Sequence, residues 1–289
     1  MKGRMLRRGS QDGRRWLDWF VGVTLVWAVM TIIVPFGAVA VVSFATRETY
    51  GWIQWTATLA NYRDILHPLY GWILVQSIGL SAVTTLCALA LGFPVAYLIA
   101  RASPRWQPFW LVLILVPLWT NFLVRTYAWM VLLRTEGLIN SVFLDVGLIQ
   151  EPMTMLYTPA AVVVGLVYGY LPFMVLPIYA AMERVPRSLE EAARDLYAGF
   201  WTSMGRVVVP LVAPGIAAGC LLVFLAGLGA YLTPDLLGGA KTMMVANLIQ
   251  HEFLVVRDWP LGSAVSVVLM ALALAIVAAV RRVHHALAS

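Results

Sequence analysis

The chain has 289 residues, 61% of them hydrophobic and only 12% charged, with a mean hydropathy of +0.83, whereas an average soluble domain is about 25% charged. That excludes a water-soluble globular protein and identifies an integral membrane protein. The net charge of +6 does not signal nucleic acid, because the arginines sit in short clusters beside apolar runs, where they report orientation in a bilayer.

Marking every Asp, Glu, Lys and Arg leaves six long charge-free runs: Trp19 to Thr46, Ile65 to Ala100, Trp106 to Val124, Pro152 to Met182, Val207 to Pro234 and Trp259 to Val280. Each can supply the roughly 20 apolar residues that a spanning helix needs, so an all-α, polytopic protein with six transmembrane helices is expected. The first run follows a basic start. It is too long for a signal peptide, and no A-x-A site follows it closely, so it reads as a retained first helix. The second run contains His67 and Pro68, which places its helix start near Tyr70.

The segments between spans alternate in charge. Lys2, Arg4, Arg7, Arg8, Arg14, Arg15, Arg101, Arg105, Arg184, Arg187, Arg194, Arg206, Arg281 and Arg282 fall on one side. Only Arg47, Arg63, Arg125, Arg134, Lys241 and Arg257 are left for the rest. The basic side is expected to be cytoplasmic, with both termini on it. The chain then divides into a cytoplasmic tail (1–18), a first span (19–46), an external segment (47–69), a five-helix core (70–280) and a second tail (281–289). Within the core, 183–206 is a cytoplasmic loop, and 135–158 and 235–258 are external. The external segments carry more acids than bases, which suits a cationic cargo and also an ordinary surface. Cys87 and Cys220 lie within apolar runs, where a thiol behaves as a small hydrophobe, so no disulfide or metal framework is expected.

The loop Glu183 to Arg206 is a soluble helical signal between two spans. Ser188 with Glu191 three residues on reads as a capping box that opens a helix. Leu189, Ala192, Ala193 and Leu196 then share one stripe, with Glu190, Arg194 and Asp195 on another. Glu191-Ala192-Ala193, followed by Val207, Val209 and Pro210, resembles the EAA motif of ABC importer permeases, EAA-x3-G-x9-I-x-L-P. Tyr197 stands where the motif has its glycine, and Gly199 is expected to make the break between two short helices. The resemblance implies a coupling helix that docks on a cytoplasmic ATPase through Ser188, Glu191, Ala192, Ala193, Arg194 and Asp195, with Gly199 and Pro210 shaping the turn.

No catalytic site can be assembled. Gly239-Ala240-Lys241-Thr242 lacks the glycines of a phosphate loop, His251-Glu252 lacks the second histidine of HExxH, and His284-His285 sits in a basic tail. The chain should therefore hydrolyse no ATP by itself and hold no metal or cofactor. Polar residues at membrane depth are few: Thr120, Asn121, Arg125, Tyr170, Tyr231 and Thr233. Such groups are costly unless they face protein or water, so they mark a candidate substrate path, although Arg125 near the end of its run also fits snorkelling or a structural pair.

Asn121 to Trp129, Gly137-Leu138-Ile139-Asn140, Leu171-Pro172-Phe173-Met174 and Trp259-Pro260-Leu261-Gly262 resemble the first permease subunit of spermidine/putrescine ABC importers. The resemblance implies the type I ABC importer permease fold in a bacterial inner membrane. The implied partners are a second, similar permease, a pair of ATPase subunits and an extracytoplasmic binding protein. Relatives often carry an acid before the Thr-Pro that ends the fifth span, where this chain has Ala230 and Tyr231. An opine or amino-acid-derived cargo is therefore an alternative to a polyamine. A secondary transporter would be expected to show intramembrane Asp, Glu or His for ion coupling, and the charge-free spans argue against it. The missing nucleophile, metal set and acid pair argue against a membrane enzyme.

Overall fold

The computed structural model describes residues 5–48 and 52–288. Lys2 and Arg4, together with the side chains of Arg7, Arg8, Arg14, Arg15, His284 and His285, lie outside the described residues. The architecture is helical apart from one two-residue hairpin. Helix α1 (Met5–Val42) is continuous through the basic segment into the first span. A small cap follows. Strand β1 (Thr46–Arg47) pairs antiparallel with β2 (Ile53–Gln54), Thr46 opposite Gln54, and α2 (Ala60–Ile65) closes the cap. Asn61, on α2, is buried and donates to the carbonyls of Ser43 (2.9 Å) and Ala45 (2.8 Å), which fixes α2 across the end of α1.

Helix α3 (Pro68–Arg101) starts two residues before the position read from sequence, because Pro68 fits the first helical turn and His67 caps it. After it come α4 (Gln107–Trp119), α5 (Phe122–Leu132), α6 (Leu138–Asp145) and α7 (Pro159–Glu183). A helical hairpin follows, α8 (Arg187–Asp195) and α9 (Phe200–Ser203). A π-helical turn (Met204–Val208) joins α9 to α10 (Val209–Leu228). A second π turn (Pro234–Gly238), α11 (Val245–His251) and α12 (Trp259–Ala288) complete the chain.

Among the described residues, five helical stretches are long and apolar enough to cross a membrane: Trp19–Val42, Pro68–Arg101, Pro159–Glu183, Phe200–Leu228 and Trp259–Arg282. The expected third span is not one helix. α4 has 13 residues, about 20 Å at 1.5 Å per residue, which falls short of a roughly 30 Å hydrocarbon core. It meets α5 at a 90° bend, and the crossings number six when this bent pair is counted as one span. The bend has a local cause. Thr120 and Asn121 are both extended, Thr120 Oγ1 donates to the Pro117 carbonyl (2.8 Å), and Asn121 Oδ1 accepts the Leu123 N–H (2.8 Å). One helix is thereby ended and the next capped within two residues. The fifth span is also displaced from the expected Val207–Pro234. Its helix begins at Phe200 and ends at Leu228, leaving Tyr231 outside any helix and Thr233 in a separate helical turn beyond it.

α3, α7 and α10 form the core. In lipid, helices gain little from hydrophobic burial against each other and associate by close packing of small residues. Gly215 shows how close: a Cβ there would stand 2.5 Å from Ala181 Cβ and 2.6 Å from the Pro177 carbonyl oxygen. At Gly219, one turn on, a Cβ would likewise stand 3.1 Å from the Met174 carbonyl oxygen, so Gly215 and Gly219 pack α10 on α7 within this subunit. One apolar cluster, with Ala96, Ile99, Met174, Ile178, Met182 and Val212, continues into the hairpin through Val185, Met204 and Val208. α1 lies outside this core against α12, and its 18-residue apolar window has no buried residue.

Candidate functional site

The hairpin of α8 and α9 differs from its sequence reading in two ways. The capping box does not form. Pro186 occupies the N-cap position and no side chain caps the helix, so Ser188 lies inside the first turn and Glu191 is exposed. The N-terminus is tied instead by Arg187, whose Nη2 donates to the carbonyls of Arg101 (3.1 Å) and Ala102 (3.0 Å) at the end of α3, where carbonyls lack intrahelical partners. The second difference concerns the break. Gly199 is extended (φ −65°, ψ 164°) and caps α9, while Tyr197 takes the left-handed conformation (φ 59°). The Tyr197 N–H bonds to the Arg194 carbonyl (2.9 Å) and the Ala198 N–H to the Ala193 carbonyl (3.0 Å). This paired closure, usually built on glycine, ends α8. Tyr197 therefore fills the conformational role of the motif's glycine while carrying a side chain.

That side chain is 98% exposed, and Leu196 and Trp201 beside it are 82% exposed. Ala192, Arg194 and Asp195 are exposed and Ala193 is half-buried, so the sequence-nominated residues do share an outward surface. Pro210 sits in the first turn of α10, directly after the π turn, where the Val209 N–H reaches back to the Met204 carbonyl. Widening the turn there accommodates a residue that has no N–H and whose ring would clash with a regular preceding turn.

Sequence reasoning set Glu190 on one stripe with Arg194 and Asp195 and did not single it out as a site residue. It is buried: its Oε1 accepts a charge-assisted bond from Arg101 Nη2 and its Oε2 accepts from the Tyr97 hydroxyl (3.1 Å). Arg101 lies over the Tyr97 ring, 5.8 Å from its centroid, and Tyr97 packs edge-on against Phe200 of α9 (6.2 Å). A cavity of about 230 Å³ opens among Tyr97, Arg101, Arg187, Glu190, Glu191 and Arg194. The partners lie about 90 residues apart in sequence, so no local pattern announces them.

The membrane-depth polar residues divide into two groups. Phe122 at the start of α5 packs against Gly169, and Thr233 and Leu237 pack against Gly165, which joins α5, α7 and the second π turn in one region. Arg125, Tyr170 and Thr233 belong to it. Arg125 lies 5.3 Å from the Phe122 ring centroid, and its Nε and Nη1 are buried with no hydrogen-bond partner, as is Thr233 Oγ1. Thr120, Asn121 and Tyr231 are exposed. The first two hold the bend, and the Tyr231 carbonyl accepts from Asn247 Nδ2 (2.7 Å). Irregular backbone at this depth is tolerated where it is covered by protein or lines a cavity. Ser81 and Thr84 of α3, unremarkable in a small-residue run, are also buried with unpartnered hydroxyls.

The broken span, the long core helices and the hairpin between α7 and α10 define an ABC importer permease fold. The family model described as binding-protein-dependent transport system inner membrane component matches residues 88–287, and the chain belongs to that family. It is 42% identical over 87% of its length, and 89% of the relative's, to the spermidine/putrescine transport system permease protein PotB of Haemophilus influenzae. The PotB protein of Escherichia coli K12 is likewise 42% identical, over 86% of this chain and 90% of its own. Among solved structures, a bacterial ABC transporter involved in import of the acidic polysaccharide alginate superposes with a TM-score of 0.73 at 17% identity, covering 96% of this chain and 98% of that one. An inward-facing methionine ABC transporter, MetNI, gives 0.53 at 19% identity, over 77% of this chain and 99% of its own. The chain is a multi-pass inner membrane component.

Proposed function

We propose that this chain is the permease subunit of an ATP-driven importer and forms half of the translocation path for a small cationic solute of the spermidine/putrescine type. The observation that carries this reading is the 42% identity to polyamine permeases across nearly the whole of both chains. The chain is not an enzyme; ATP is hydrolysed on two separate ATPase subunits. An extracytoplasmic binding protein delivers the cargo, and a second, homologous permease supplies the other half of the path. The arginine asymmetry supports a topology with both termini and the loop 183–206 in the cytoplasm. The outward surface of α8 and the turn supports ATPase docking at Ser188, Glu191, Ala192, Ala193, Arg194 and Asp195. Gly199 and Pro210 set the angle of the second limb. Arg125, Tyr170 and Thr233, with Thr120, Asn121 and Tyr231 near the bend and the irregular turn, are the path residues.

One observation favours a second cargo class. Arg125 presents unpartnered guanidinium nitrogens at this site, and no acid stands at Ala230 or Tyr231. That arrangement suits a carboxylate-bearing opine or amino-acid derivative better than a polycation. Uptake of labelled spermidine by cells lacking this chain, with and without its gene restored, separates the two. Restoration of uptake that excess putrescine competes away is expected. Restored uptake of a labelled opine, with spermidine uptake unaffected, would replace the polyamine by the second class.

A further inference from the structure

We infer that the buried Arg101–Glu190 pair is the joint that carries movement of the cytoplasmic hairpin into the membrane core, an inference that rests on the reading of α8 as the ATPase-docking helix. A helix can transmit displacement only if it is attached firmly at both ends. The usual attachment is an apolar face pressed into a groove. α8 has none: between Arg184 and Thr202 only Val185 and Glu190 are buried, while Leu189 and Leu196 face outward. Its attachment to the core is polar. Glu190 accepts from Arg101 and from Tyr97, both on the last turns of α3, and Arg187 donates to the α3 terminal carbonyls from the opposite direction. Arg101 Nη1 also reaches the Val185 carbonyl (3.5 Å), at the point where α7 gives way to the hairpin.

The far end of this joint is well placed to move other elements. α3 buries Ala96, Ile99 and Ala100 in the cluster shared with α7 and α10, and it faces Met174 of α7 at Gly92, where an added Cβ would stand 2.9 Å from the Met174 side chain. A shift of α3 must therefore be shared by α7, because close-packed interfaces adopt discrete arrangements and do not deform continuously. An ion pair with side-chain exposures of 16% and 9% holds its geometry because each charge lacks an alternative partner in water. Without it, α8 would keep to α3 only the Arg187 bonds to its terminal carbonyls, beside the short links at Val185–Pro186 and Leu196–Gly199. The hairpin could then follow the ATPase while the core stayed behind. Glu190 and Arg101 are thus positioning residues. They act on transport through α3, and Glu190 faces away from the outward docking surface.

The test uses the complete transporter, with this chain, its partner permease, its ATPase and its binding protein, reconstituted in liposomes. Labelled spermidine uptake and ATP hydrolysis are measured together, and the ATPase recovered with the membrane subunits is quantified. With Glu190→Gln, the ATPase should be retained at wild-type stoichiometry and hydrolysis should continue, while solute imported per ATP falls at least tenfold. The double exchange Arg101→Glu with Glu190→Arg should recover part of that ratio, which a merely structural role would not reproduce. Tyr97→Phe removes one hydroxyl and no charge and repeats the measurement should Glu190→Gln not accumulate. It should give an intermediate ratio. A wild-type ratio in Glu190→Gln, or in Tyr97→Phe where it alone accumulates, overturns the joint. So does a loss of uptake that only parallels loss of bound ATPase. If the wild-type assembly itself shows no ATP-dependent uptake, the importer reading falls and the joint falls with it.

Discussion

Tyr197 carries a conformational penalty that a glycine would not. A left-handed backbone costs an L-residue roughly 1–2 kcal/mol, and glycine gives back about 0.5–1 kcal/mol of that through its greater unfolded-state freedom. Since the Tyr197 side chain is fully exposed, Tyr197→Gly is expected to melt in detergent within about 2 °C of wild type, or higher. Tyr197→Val, β-branched in the same conformation, should melt lower. A marked loss in the glycine variant would mean that the phenol is packed. On the external side, Glu252 is buried, and its carboxyl is pushed above the usual carboxylate range, first by burial and then by the charge of Asp258, with His251 and Arg47 pulling it back. An acid whose folded value is raised binds its proton more tightly when folded. Its contribution to stability is most favourable below the unfolded value, falls as pH rises toward the folded value, and is level beyond it. Glu252→Gln should flatten that fall in melts run upward in pH from the usual carboxylate range, about pH 4, and be no less stable than wild type at neutral pH. An unchanged pH profile would contradict this.

At the scale of elements, packing distances rank substitutions that look alike in sequence. Gly215→Ala places a methyl against a backbone carbonyl that cannot rotate away, and overpacking of this kind costs about 1–3 kcal/mol. Gly71→Ala, with nothing within 4 Å, should be neutral or stabilising by up to about 1 kcal/mol of helix propensity. Abundance and melting temperature should separate the two, and equal behaviour would show that the α7–α10 approach is looser than described. The spans themselves were legible, because length and apolarity suffice to read a membrane helix. The 90° bend was not. Thr120 and Asn121 stood out as polar residues marking a candidate path, but hydropathy carries no direction and only geometry shows a cap. The hairpin was legible as a motif and misread in register. The capping box is a local pattern, whereas Glu190 is held by residues of α3 far away in sequence, and Tyr197 hides a glycine's conformation under an unlikely side chain.

At the scale of the whole molecule, charge outside the membrane and packing inside it divide the work. The arginines bias which face of the bundle stays in the cytoplasm, and α3, α7 and α10 form the core against which the hairpin rests. A cysteine at Ser188 should escape an impermeant thiol reagent in intact cells and react once the membrane is opened, and reaction in intact cells would invert the topology. The central claim is that this chain conducts a polycation using ATP hydrolysed by another subunit, and accumulation in reconstituted vesicles measures it most directly. Liposomes holding the chain, its partner permease and its ATPase, supplied with spermidine-loaded binding protein on one side and ATP on the other, should accumulate spermidine. Uptake should stop when the ATPase is replaced by a hydrolysis-deficient variant, and the purified chain alone should hydrolyse no ATP. Accumulation that continues with the inactive ATPase, driven by an ion gradient instead, would contradict the claim.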